Sequence, residues 1–264
     1  MARMQIIASI IVIVVGSLFV GCDGRKPTPD EVKTQEPIPI SHPSWISKEY
    51  VTGHFDPSKH DDFEIIDRKY ADREGLLLRK GTYAAFRQMY DAAQKAGHTL
   101  IIKSATRNFD YQKGIWERKW TGKTLLEGGI NGAEIENPIT RAKKILLYSS
   151  MPGTSRHHWG TDIDFNSFNN DYFKKGKGAK LYEWMQYNAS TFGFCQPYTT
   201  KNDGRNGYEE ECWHWSYMPI SKPLTEYSRE YLKNEMIEGF SGSATAVEVD
   251  MVHNYVLGIN SSCL

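Results

Sequence analysis

Apolar residues recur at helical spacing over 81–96, where Ala84, Ala85, Met89, Ala92 and Ala93 fall near one face and Gly97 ends the run. Residues 99–104 (TLIIKS) are short and β-branched and predict a strand. Further helices are predicted over 109–120, with Asn108 or Asp110 near its start, over 138–148, over 181–191 with its end near Gly193, and over 224–236. Residues 160–165 alternate and predict a strand, and 212–218 predict another, rich in aromatics. Residues 44–67 read as loop, and 239–264 as a C-terminal tail able to fold back on the domain. Helices and short strands alternate without a regular βαβ rhythm. That predicts an α+β fold, a small antiparallel sheet with flanking helices.

The N-terminal pattern is different. Residues 6–20 (IIASIIVIVVGSLFV) are an apolar run preceded by one positive charge and followed by Gly21 and Cys22. The run is short for a membrane span of about 20 residues and has the length of a signal-peptide core. A cysteine after a small residue at the end of such a core resembles a bacterial lipoprotein signal. It implies cleavage before Cys22, a lipid on Cys22 and an exported, membrane-anchored protein of the periplasm or cell envelope. Phe19 and Val20 depart from the usual leucine and small residue of that signal. An uncleaved anchor and an ordinary signal peptide are the alternatives, and all three put the folded part outside the cytoplasm. Residues 23–43 carry five prolines, many charges and little apolar content, the composition of a tether. The expected organisation is a signal peptide over 1–21, a lipidated cysteine and tether over 22–43, a folded domain over 44–238 and the tail over 239–264.

Composition changes this picture little. The 264 residues have a formal net charge of zero and 40% hydrophobic content, which gives no reason to expect a nucleic-acid partner. Of four cysteines, three remain if Cys22 is lipidated, so at least one thiol is unpaired within the chain. Cys195–Cys212 is one possible bridge; the sequence does not decide it.

Candidate chemistry lies in two segments. Residues 155–164, SRHHWGTDID, hold two histidines and two aspartates, and residues 211–215, ECWHW, add a glutamate and a histidine. Catalytic zinc takes three protein ligands and keeps a fourth position open. His157, Asp164 and His214 can supply such a set, provided Gly160 bends the chain, because residues seven apart on a straight strand face opposite sides. Glu211 is placed to move a proton to or from a water in the open position without binding the metal itself.

These segments match the SxHxxGxxxD and ExxH signatures, and the chain is identified on them as resembling the VanY-like zinc D-alanyl-D-alanine carboxypeptidases. That family shares a superfamily and fold with the Hedgehog signalling domain. The resemblance covers about 76–232 and takes in SATRNFDYQ at 104–112, GFCQPYTT at 193–200 and the run at 204–208. It implies one zinc ion held by His157, Asp164 and His214, with Glu211 as general base and acid. Arg107 would steady the oxyanion or the terminal carboxylate of the substrate, and Gln112, Ser155 and Trp213 would line the substrate cleft. The expected substrate is a peptidoglycan stem peptide ending in D-alanine, and the expected state a monomer. An L,D-carboxypeptidase, a peptidoglycan endopeptidase and a zinc-binding domain without activity are the alternatives.

Two positions depart from the family pattern. Asp162 stands where a small apolar residue is usual and reads as a partner of the ligands or an alternative ligand. Cys212 stands where many relatives have proline. His158 is read as a cleft residue rather than a ligand. Trp159, Trp213 and Trp215 fit a cleft wall or a core equally well. The other histidines (42, 54, 60, 98 and 253) have no partner pattern.

Overall fold

The structure, a computed structural model, describes residues 42–264. The expected signal peptide, Cys22 and nearly all of the tether lie outside the described residues. Among the described residues no helix is long and apolar enough to cross a membrane.

Short elements open the domain: α1 (Lys48–Val51), β1 (Phe63–Ile65) and β2 (Leu77–Arg79), the two strands pairing antiparallel. Residues 44–67 are therefore less irregular than their pattern suggested. Helix α2 (Lys80–Lys95) follows. It buries Met89 and Ala93 of the expected face, but with Thr82, Tyr83 and Phe86 in place of the half-buried Ala84, Ala85 and Ala92. An aromatic ring removes far more apolar surface from water than an alanine methyl, so the Tyr83–Phe86 side faces the core.

The central sheet has four antiparallel strands in the order β3-β4-β6-β5, formed by β3 (Ile102–Ser104), β4 (Asp162–Phe165), β5 (Phe194–Cys195) and β6 (His214–Tyr217). Strand parity divides the labour. Ile102, Ile163, Phe165 and Trp215 turn to a core shared with Phe86, Met89, Leu181, Met185 and Phe194. Asp162, Asp164, His214 and Ser216 alternate with them and point to the other face. The register pairs Asp164 with His214 and Asp162 with Ser216. One face of the sheet is thus a packed core and the other carries the polar site.

The remaining helices are α3 (Phe109–Trp120), α4 (Pro138–Ile145), α5 (Gly176–Asn188), α6 (Met218–Tyr231) and α7 (Thr245–Glu248). Asn108 caps α3, its side chain accepting from the Tyr111 N–H at 2.9 Å. Helix α6 starts six residues before the expected position, with Pro219 in its first turn, where a missing N–H costs little.

Residues 239–264 do fold back, and they complete a second core. Phe240, Ala246, Val249, Val252, Val256, Ile259 and Cys263 pack with Trp116, Ile145 and Met151. Cys195 is bonded to Cys263, not Cys212; Cys212 is a buried free thiol that burial pushes up to about 11.

Candidate metal centre and cleft

Three side chains converge. The donor atoms of His157, Asp164 and His214 lie within 4.8 Å of one another, and all three residues are buried. The local chain explains how. Ser155 caps a single 3-10 turn, Arg156–Trp159, accepting from the His157 N–H at 3.3 Å. Gly160 ends the turn with φ 71°, the left-handed region that glycine enters without strain. A Cβ there would sit 2.4 Å from the Phe63 ring. This is the bend that the seven-residue spacing required. On the other strand a tight turn, closed by the His214 N–H on Glu211 O at 3.2 Å, brings Glu211 and His214 to the same side.

The ring nitrogens are assigned by their outer partners. His157 Nδ1 lies 2.8 Å from Ala105 O, a pure acceptor, so Nδ1 carries the hydrogen and Nε2 presents a lone pair. His214 Nε2 lies 2.9 Å from Asp162 Oδ1, so its Nδ1 faces the cluster. His157 Nε2 is 3.2 Å from Asp164 Oδ2, and His214 Nδ1 is 3.1 Å from Asp164 Oδ1. Yet His157 Nε2 and Asp164 Oδ1 are buried without a hydrogen-bond partner. Two orphaned donors, with His214 Nδ1 converging on them, make an inward-facing set of two imidazoles and one carboxylate that fits a zinc ion with an open position.

Electrostatics agree with that fit. Burial alone would raise Asp164, but the two histidines hold it well below the usual carboxylate range. Burial and the Arg107 guanidinium push His157 down. Burial would also lower His214, but hydrogen bonds to Asp162, Asp164 and Glu211 outweigh it and raise that ring. Burial raises Glu211, whose Oε2 lies 3.4 Å from His214 Nδ1, outside the donor cluster.

Asp162 partners the converging donors through His214. It is fully buried; its Oδ1 accepts from His214 and from Arg156 Nε at 3.1 Å, and its Oδ2 accepts from Ser216 Oγ at 3.0 Å. Arg156 is itself buried, donating also to Thr225 Oγ1 at 3.0 Å and Ser216 Oγ at 2.8 Å, and lies over the Trp159 ring. The sequence reading left Arg156 unassigned. Its signal was available, a lone arginine beside the histidine motif with a nonstandard aspartate six residues on.

A cleft of about 760 Å³ opens on the cluster, and Arg107, Gln112, Ser155, Glu211 and Trp213 all line it. Gln112 Nε2 donates to Ser150 O at 2.8 Å while its Oε1 is buried and unpartnered. Trp213 forms an aromatic wall with Tyr148 and Phe168, whereas Trp159 and Trp215 belong to cores. Among the cleft residues the sequence did not single out are Lys119, on α3, and Tyr198, whose ring lies 4.8 Å from that of His214. Cys212 offers its N–H to Asn170 Oδ1 at 3.1 Å, a bond that proline could not make.

His158 does not line the cleft, contrary to expectation. It lies beneath it, fully buried, with Nδ1 2.6 Å from Arg107 O and Nε2 accepting from the Gly153 N–H at 3.1 Å. It therefore pins the Arg107 loop in the neutral form, and burial lowers it to about 3. An unfolded histidine titrates near 6.5. The stabilisation is thus fully present above about pH 6.5 and is lost as pH falls toward 3, by up to about 1.4 kcal/mol per pH unit. Denaturant midpoints measured between pH 7 and 4 in chelator should fall less for His158→Gln than for wild type; parallel curves would contradict the assignment.

A family model described as VanY, D-alanyl-D-alanine carboxypeptidase, matches residues 75–220. The chain belongs to the VanY family. It is 29% identical over 179 residues to a putative carboxypeptidase, YodJ, of Bacillus subtilis (strain 168), a match covering 66% of this chain and 58% of that protein. It is 26% identical over 178 residues to a D-alanyl-D-alanine carboxypeptidase of Enterococcus faecalis (strain ATCC 700802 / V583), covering 66% and 61%. The matches thus span about three-fifths of those curated relatives. Among solved structures, VanYB in complex with D-alanine-D-alanine superposes with a TM-score of 0.46 at 22% identity, covering 66% of this chain and 87% of that one. Within the VanY family pattern, the zinc-type donors, the glutamate and the cleft arginine of this chain occupy one connected site.

Proposed function

We propose that this chain is a zinc-dependent D-alanyl-D-alanine carboxypeptidase that removes the terminal D-alanine from peptidoglycan stem peptides. The carrying observation is the convergence of His157, Asp164 and His214 beside Glu211 at the floor of the cleft, in a chain of the VanY family.

Bound zinc would supply Lewis acidity, polarising the scissile carbonyl and lowering the pKa of water to about 7. Glu211, its carboxyl raised by burial, takes a proton from the attacking water and returns it to the leaving amine. Arg107 stabilises the negative charge that develops on the carbonyl oxygen. Asp162 and Ala105 O hold the two imidazoles in their tautomers, and the Trp213 wall packs against the substrate. In this reading the protein acts as a monomer outside the cytoplasm, anchored through a lipid on Cys22.

The test is product analysis. The metal-loaded full chain is incubated with tri-, tetra- and pentapeptide stem fragments and a crosslinked dimer, and products are weighed. Loss of one alanine from the pentapeptide alone is expected. Release from the tetrapeptide would make it an L,D-carboxypeptidase, and dimer cleavage an endopeptidase. No product with metal bound would refute the enzyme reading. Chelators should abolish turnover and β-lactams should leave it unchanged, since no serine acyl-enzyme forms; inhibition by a low concentration of penicillin would contradict this chemistry.

A further inference from the structure

We propose that Lys119 binds the free carboxylate at the end of the substrate and thereby restricts the cleft to removing a terminal residue. This rests on the carboxypeptidase reading above and goes beyond it, because that reading names no residue that recognises the free carboxylate.

Lys119 lies on α3 seven residues after Gln112, two turns along the same face, and both side chains line the cleft with Arg107. Its ammonium donates to Ser149 Oγ at 2.6 Å. That neutral hydroxyl is its only hydrogen-bond partner among the described residues, and no carboxylate pairs with it there. An ammonium has three donors, and a charge held out of water calls for an opposite one. Burial lowers Lys119, with Glu211, Arg107 and, more weakly, Glu127 acting on it from across the cleft. A Cβ at Gly132 would meet Lys119 O at 2.3 Å, so the Gly132 backbone packs directly on the end of α3.

Among the described residues, Arg107 is the second cation of the cleft without a paired carboxylate. Its Nε is buried and unpartnered, and its backbone N–H donates to His157 O at 3.1 Å, which ties it to the metal side. A carboxypeptidase substrate brings two negative groups: the oxygen developing at the scissile carbonyl, beside the metal, and the carboxylate of the departing residue, one residue further on. Two cations line the cleft for these two groups: Arg107, tied through its backbone to His157, takes the first, and Lys119, held by Ser149, the second. An internal peptide bond presents a neutral amide at the second place. It would leave the Lys119 charge uncompensated, so chain-internal cleavage is disfavoured.

The experiment compares a pentapeptide ending in D-Ala-D-Ala with its C-terminal amide, using the metal-loaded full chain. Wild type should prefer the acid. Lys119→Met should raise KM for the acid roughly 10- to 100-fold, the worth of a hydrogen bond to a charged group, with little change in kcat, and bring the acid-to-amide ratio near one. Lys119→Arg should retain most of the preference, and both variants should keep one metal per chain. If Lys119→Met does not fold, Lys119→Gln gives the same comparison. An unchanged acid-to-amide ratio in the neutral variant, or equal cleavage of acid and amide by wild type, overturns the assignment while leaving the peptidase reading intact. Wild type that cleaves neither peptide overturns both.

Discussion

Glu211→Gln is expected to lower kcat by about 10²- to 10⁴-fold, the usual worth of a positioned general acid–base, while the protein still binds one zinc ion. The reasoning starts from geometry. Glu211 stands 3.4 Å from His214 Nδ1 but does not belong to the converging donor set. Glutamine has nearly the same shape and so preserves the turn that Glu211 shares with His214, including the backbone bond between them. What it removes is the ability to take a proton. Burial raises the Glu211 carboxyl toward the pH at which a shuttle works best, an effect with no benefit for a purely structural carboxylate. The loss corresponds to about 3–5 kcal/mol of transition-state stabilisation. Metal content by atomic absorption and single-turnover rates together check it. Turnover near wild type would mean that another group moves the proton. Loss of the metal would make Glu211 a ligand.

The converging donors were legible in the sequence because each depends on local rules. Parity on β4 and β6 sends Asp164 and His214 to one face. A glycine supplies the bend before them, and a four-residue turn sets Glu211 beside His214. The helices of α2 and α3 were visible from period and cap. What the sequence hid depends on chain closure over long distances. Cys195 meets Cys263 across 68 residues, and no local pattern favours that partner over Cys212. The tail read as able to fold back, but its irregularly spaced apolar residues did not show where it would pack. They fill gaps against Trp116 and Ile145, partly from two short helical stretches, too short to show a period in the sequence. His158 looked like a cleft residue from its neighbour, yet adjacent residues in a 3-10 turn face different ways, and it turned inward to the Arg107 loop.

Asp162 carries the second large expectation. Asp162→Ala should destabilise the fold by about 3–5 kcal/mol and weaken metal binding about 10- to 100-fold. The stability loss comes from Arg156. Both side chains of the pair are fully shielded from solvent, so removing the carboxylate leaves a guanidinium with no counter-charge in a dry interior. Thr225 and Ser216 still accept two of its N–H groups, but neutral hydroxyls do not offset the charge. The affinity loss comes from His214. Without Asp162 Oδ1 at 2.9 Å, nothing fixes the hydrogen on Nε2, and the ring no longer presents Nδ1 by default. A second variant separates the effects. Arg156→Met with Asp162→Leu removes both charges, so it should recover most of the stability lost by the single substitution. It should recover none of the metal affinity, because His214 still lacks its acceptor. Urea unfolding of the metal-free proteins and metal competition titrations measure the two quantities independently. If the double variant regains affinity as well, Asp162 acts only by neutralising Arg156. If the single variant stays within about 1 kcal/mol of wild type, the hydroxyls satisfy Arg156 and the burial argument fails.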